Sequence, residues 1–183
     1  MEGAFRLDMR PVDVLVVSGP AGVGKSVTAF EASDQLRGGG EAHAVIDTDE
    51  LDRIYPVPDD LSAITERNLA AIWAGYSERG CRRLILIGVY ADVPRELEWI
   101  GRAVPGARFT LVRLIAPWST LEQRIRGREL GSGLERQFEH TAKQVSDMET
   151  DQRPEVHVLN TTGLTVQEAA RRMLAIWRPG PTN

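Results

Sequence analysis

Gly19-Pro20-Ala21-Gly22-Val23-Gly24-Lys25-Ser26 fills the spacing G-x-x-x-x-G-K-[ST] without a gap. The residues before it, Val12 to Ser18 (VDVLVVS), form a β-branched apolar run that predicts a buried strand. Those after it predict a helix over 25–36, stopped by Gly38-Gly39-Gly40. A glycine-rich turn between strand and helix lets successive backbone N–H groups point at phosphate oxygens, and the helix adds its positive N-terminal end. In such a loop Lys25 reaches the β- and γ-phosphates of a nucleoside triphosphate and Ser26 offers its hydroxyl to Mg²⁺. Gly19, Pro20, Ala21, Gly22, Val23, Gly24, Lys25, Ser26 and the following Val27 are therefore the expected nucleotide contacts. The competing reading is a plain strand-to-helix turn. A bare G-x-G would leave that reading ahead; eight matching residues between a strand and a helix do not.

Outward from the loop, apolar runs and helical stretches alternate. Strands are expected over 42–47, 83–90, 109–115 and 156–159. Helices are expected over 61–79, 94–103, 119–129, 134–149 and 165–177, with Ser119 and Thr165 as N-caps. Five strands alternating with helices predict an α/β fold in three α/β/α layers around a five-stranded parallel sheet. Its crossovers should be right-handed, and ligands should gather at the carboxyl ends of the strands. At 183 residues the chain has the length of one domain, expected over 1–183 with a frayed tail at 179–183.

The bulk properties narrow the partners. A net charge of −4 gives no general attraction to nucleic acid or an anionic membrane. No stretch approaches the roughly 18 apolar residues of a membrane span. The start, MEGAFRLDMRP, lacks the pattern of a secretory signal, so a cytoplasmic location is the default expectation. The single cysteine, Cys81, forms no internal disulfide, and beside an apolar run it reads as a packing residue. His43, His140 and His157 are too scattered for a zinc site.

GPAGVGKS, IDTDELDR after the second strand, the arginine-bearing RIRGRE, and a late strand running into NTTGLTVQEAA together resemble the small P-loop kinases of the shikimate, gluconate, adenylylsulfate and chloramphenicol kinase group. The resemblance spans nearly the whole chain, and the first motif is the specific one. It implies a P-loop, nucleoside-kinase-like fold with a short lid at about 119–136 and an acceptor-binding region at about 50–79. It also implies ATP and Mg²⁺ as cofactors, a small-molecule phosphate acceptor and transfer of the γ-phosphoryl group to a hydroxyl. A homodimer is a common habit of such folds.

The strand-two acids Asp47 and Asp49 can accept a hydroxyl proton or hold Mg²⁺ through water. Strand alternation would put both on one side. We expect Asp49 as the general base and Asp47, with Ser26, on the metal; the alternative is that both only cap the turn that follows. Among the arginines, Arg124 and Arg128 share a helix face while Arg126 points elsewhere. In the kinases resembled, lid arginines neutralise the transferring phosphoryl group. Arg124 and Arg128 are the expected pair, the alternative being a solvated basic face. The base of the nucleotide would lie near Asn160-Thr161-Thr162-Gly163-Leu164. Arg53 and Tyr55 are the expected acceptor contacts, whereas Trp73 and Tyr76 fit an apolar stripe facing the core. Gly88 either lets substrate approach the backbone or permits packing. The third strand ends without the metal-binding Asp of many P-loop ATPases, which favours metabolite kinases over motors or GTPases. Two alternatives stay open: a nucleotide kinase, with Arg53, Arg67 and Arg95 around the acceptor phosphate, and a non-catalytic ATP-binding regulatory module.

Overall fold

The computed structural model describes residues 11–127, 133–150 and 153–177. Five strands form one sheet: β1 (Val12–Ser18), β2 (Ala44–Asp47), β3 (Arg83–Ile87), β4 (Ala107–Ile115) and β5 (Val156–Asn160). Their spatial order is β2-β3-β1-β4-β5, and every pairing is parallel. The loop-bearing strand β1 is central, with Val16 beside Leu86 of β3 on one flank and beside Leu111 of β4 on the other.

The alternation of side chains splits the core in two. Val12, Val14, Val16, Leu84 and Leu86 face one side, where α2 (Leu61–Ser77) and α3 (Val93–Ala103) bring Leu69, Trp73, Val93 and Ile100. Leu15, Val17, Ile85 and Ile87 face the other, where α1 (Lys25–Gly38) and α6 (Val166–Ile176) bring Ala29, Ala32, Ala170 and Met173. Helices on both faces explain why β1 and β3 read as continuous apolar runs. Two further helices, α4 (Trp118–Arg126) and α5 (Leu134–Glu149), follow β4. Among the described residues no helix is long and apolar enough to cross a membrane.

Several boundaries differ from the sequence expectation. β3 ends at Ile87, three residues early, because the chain turns out of the sheet at Gly88. α4 begins at Trp118 with Pro117 as its cap: the Pro117 carbonyl accepts from the N–H groups of Thr120 and Leu121. Ser119 is therefore inside the helix and does not cap it. Thr165 does cap α6, in a reciprocal capping box with Glu168. Tyr76, expected in the core stripe, is 41% exposed, while Trp73 is buried. Arg128 and part of the 119–136 segment lie outside the described residues.

Candidate functional site

Residues 19–26 link β1 to α1 at the carboxyl edge of the sheet, as the sequence implies. The loop can curl there only because of its glycines. Gly22 has φ +79°, and a Cβ on it would lie 2.9 Å from Ile125 Cγ1 and 3.2 Å from the Leu121 carbonyl oxygen. The same absence of a side chain lets α4 pack directly on the loop.

Lys25 is buried, and its Nζ donates to the carbonyls of Gly19 at 2.9 Å and Pro20 at 3.2 Å. This stations the ammonium over the first two residues of the loop. Ser26 Oγ donates to Asp47 Oδ2 at 3.2 Å. Asp47 Oδ1 in turn accepts from the backbone N–H of Asp49 at 3.2 Å, capping a single 3₁₀ turn, Thr48–Glu50. Asp47 thus caps the turn, one of the two roles weighed for it, and is also bonded to the loop serine. The strand stops at Asp47, so the alternation argument for Asp49 does not apply: the turn, not the pleat, places it. Crowding by surrounding protein pushes the Asp49 carboxyl above the usual aspartate value. The Lys25 ammonium pulls it down, and Asp47, Asp52 and Glu50 push it up again. As a whole residue Asp49 faces solvent, and water screens part of this.

The turn carrying Asp49 is pegged to the sheet. Thr48 Oγ1 donates to the Ile87 carbonyl at 2.9 Å and lies 3.0 Å from the Tyr90 hydroxyl. A threonine has one hydroxyl hydrogen, so Tyr90 is the donor in the second contact. Burial drives the Tyr90 phenol far above its ordinary pKa, which keeps it a neutral donor. Ser18 Oγ ties the same residue to β1, donating to the Tyr90 carbonyl at 3.2 Å and accepting from its N–H at 3.3 Å. Tyr90 is therefore a buried brace. Gly88 sits inside this cluster: a Cβ there would lie 2.5 Å from Thr48 Oγ1 and 2.7 Å from Tyr90 Cζ. Its small size serves packing.

On the opposite flank, Arg124 Nη1 donates to the Val23 carbonyl at 2.9 Å, and Thr161 Oγ1 reaches the same oxygen at 3.5 Å. Val23, Val27, Arg124, Thr161 and Leu164 are among the walls of a cavity of about 190 Å³ beside the loop. The segment expected near the base is thus brought against Arg124. Arg126 points away, as its spacing implies, pairing with Glu122 at 2.7 Å and lying 4.9 Å from the Phe138 ring centroid. Arg53 pairs with Glu50 at 3.0 Å, and Tyr55 is 94% exposed. Both stand on the surface of the loop after the Asp49 turn.

One contact has no counterpart in the sequence reading. Gln144, buried on α5, accepts from the backbone N–H of Ala21 at 2.9 Å. The only available signal was a polar residue inside the stripe Thr141, Gln144, Val145 and Met148.

The oxygen donors Ser26 and Asp47 suit a hard cation, and Mg²⁺ characteristically takes one or two protein ligands with phosphate and water completing its shell. Among the described residues there is no cluster of three or more His, Cys, Asp or Glu that would make a dedicated protein cage.

No protein-family model matches this sequence, and no curated protein matches it. Solved structures do match its fold. A tunicamycin resistance protein of Deinococcus radiodurans is 19% identical with a TM-score of 0.62, over 90% of this chain and 94% of its own. A gluconokinase from Sinorhizobium meliloti 1021 is 18% identical with a TM-score of 0.59, over 91% of each chain. An APS kinase of Mycobacterium tuberculosis, in complex with AMPPNP and APS, is 19% identical with a TM-score of 0.60, over 91% of this chain and 97% of its own. The chain has the fold of the small P-loop kinases.

Proposed function

We propose that the chain is an ATP-dependent phosphotransferase that moves the γ-phosphoryl group to a hydroxyl of a small molecule. The convergence of Lys25, Ser26 and Asp47 at the mouth of the loop, with the Asp49 carboxyl beside them, carries the reading. Two of the structural neighbours are kinases of small molecules, a gluconokinase and an APS kinase, which supports it.

In this proposal residues 19–27 hold the triphosphate and Lys25 neutralises its terminal oxygens. Ser26 and Asp47 would hold Mg²⁺, which supplies charge neutralisation at the β- and γ-phosphates. Asp49 accepts the acceptor's hydroxyl proton as the oxygen bonds to the γ-phosphorus and the bond to ADP breaks. A carboxyl pushed above its ordinary pKa is a stronger base for that transfer. Arg124 walls the base pocket, and Arg128 would act from the lid at about 119–136. Arg53 and Tyr55, on the 50–79 segment, would contact the acceptor at its hydroxyl-bearing end. A cytoplasmic location, where ATP is supplied, fits this chemistry.

The test is an ATP-consumption screen over hydroxyl metabolites, nucleosides, nucleotides and antibiotics. One class should stimulate the rate, and Asp49→Asn should bind ATP normally while transfer nearly stops. Tight ATP binding with no stimulation by any class would replace this reading with a non-catalytic ATP-binding module.

A further inference from the structure

A second, larger cavity lies on the other side of the phosphate loop. It measures about 570 Å³, within the range of small-molecule sites, and lies between α5, the carboxyl half of β4 and the length of β5. Its strand walls include Ile115, Val156 and Val158. By alternation these point away from Val112, Leu114 and Leu159, which belong to the core under α1 and α6. The base pocket, with Ala169 and Val166 of α6 in its wall, is on that α6 side. The two cavities therefore open on opposite faces of the sheet.

Three observations concern what the larger cavity takes. Its lining is mostly aliphatic, and two of these side chains are left open where the sheet is otherwise layered: Ile115 is 38% and Val158 59% exposed. Its polar lining comprises Arg113, Glu149, Arg153 and Asn160, of which Glu149 and Arg153 are exposed to solvent. Arg113 Nη1 donates to the Met148 carbonyl at 2.9 Å, and Asn160 Oδ1 accepts from the Thr162 N–H at 2.9 Å. Finally, Pro20 forms part of the wall, and the Pro20 carbonyl is one of the two that receive the Lys25 ammonium. The cavity thus ends one residue from the group that marks the terminal phosphate.

Resting on the phosphotransferase reading, we propose that this cavity holds the acceptor, and that the acceptor is a molecule with an apolar body bearing a hydroxyl at its Pro20 end. A polyol or sugar acid buried here would leave most of its hydroxyls against aliphatic walls, a cost that the few polar groups of the lining offset only in part. An apolar body gains by leaving water at the same walls. The hydroxyl then comes to the γ-phosphate past Pro20, while Asp49 faces the Lys25 ammonium from the β2 side.

Val158 is the handle for the test, because an exposed position on the edge strand β5 tolerates substitution. Val158→Trp fills the cavity mouth, and Val158→Arg places a charge against its aliphatic wall. The neutral probe N-phenyl-1-naphthylamine is titrated by fluorescence into the wild type and both variants, with melting curves to confirm folding and ATP affinity measured alongside. We expect saturable probe binding in the wild type, at least tenfold weaker in both variants, with ATP affinity unchanged. The acceptor found in the ATP-consumption screen should displace the probe, and its KM should rise at least tenfold in both variants with kcat little altered. Equal probe binding in all three proteins overturns the proposal. So does an acceptor that is a polyol or sugar acid with an unchanged KM. Normal probe and ATP binding with no transfer to any compound overturns the phosphotransferase reading itself, and the acceptor role with it.

Discussion

Replacing Gly88 with alanine should damage the protein through packing, and the structure sets the size of the effect. The added Cβ would sit 2.5 Å from Thr48 Oγ1, 2.7 Å from Tyr90 Cζ and 2.8 Å from the Tyr90 hydroxyl oxygen. None of these neighbours can yield cheaply. Thr48 is fixed by its bond to the Ile87 carbonyl, and the Tyr90 backbone by both bonds to Ser18. Overpacking of this kind costs about 1–3 kcal/mol. Parting Thr48 from the Tyr90 hydroxyl leaves a buried polar group short of a partner, roughly another 1–3 kcal/mol. A total of about 2–6 kcal/mol should lower the melting temperature by roughly 6–18 °C for a chain of this size. Chemical denaturation at neutral pH measures it, and a double-mutant cycle with Thr48→Ala locates it. Removing the threonine hydroxyl removes the closest contact, so the double variant should lose less than the sum of the singles. Strict additivity, or normal stability with a raised acceptor KM, would refute this account and return Gly88 to the role of a substrate approach.

Four other outcomes follow from the same contacts. Asp49→Asn should leave stability equal or higher at neutral pH: a carboxyl whose pKa is raised on folding favours the native state only at low pH, and that contribution is lost as pH rises through the folded pKa. Melting curves at pH 7 and pH 3 test this, and a clear loss at pH 7 would contradict it. Thr165→Ala should cost about 1 kcal/mol at neutral pH by removing the α6 cap. Its bonds to Thr165 hold the Glu168 carboxyl below the usual range, so that deficit should shrink as pH falls through the folded pKa. Arg124→Ala, by opening one wall of the base pocket, should weaken ATP binding about tenfold, or roughly 1.4 kcal/mol, in calorimetric titration. Gln144→Leu should weaken ATP binding by a similar factor of about ten, because the Ala21 N–H loses its acceptor; unchanged affinity would show that the loop holds its shape without α5.

The loop and the sheet were legible because their physics is local. Residues 19–26 carry the glycines, lysine and serine that phosphate binding demands, and the strands carry the apolar runs that double burial demands. All five expected strands are present and pair in parallel. Legibility failed where a neighbour distant in the chain decides the outcome. Val89 and Tyr90 look like strand, but the Thr48 and Tyr90 side chains crowd Gly88 and the chain leaves the sheet there. Asp49 looked like a strand residue sharing a face with Asp47, yet the turn that Asp47 caps sets its direction. Pro117 displaced Ser119 as cap because its carbonyl already accepts the first free N–H groups of α4. Gln144 was invisible because its partner lies 123 residues away, and no motif marks a glutamine for a backbone amide. The larger cavity was equally hidden, since its walls come from β4, α5 and β5 and meet only in the fold.

Helix α5 touches two places at once. Gln144 holds the phosphate loop, and Met148, one turn further along, lines the larger cavity and receives Arg113. A helix of this length moves as a rod, so a ligand that draws one contact tighter shifts the other. Thermodynamic reciprocity then requires that whatever factor the cavity's occupant applies to nucleotide affinity, the nucleotide returns in equal measure. Coupling of either sign would show as intersecting initial-velocity lines whose crossing point lies off the horizontal axis.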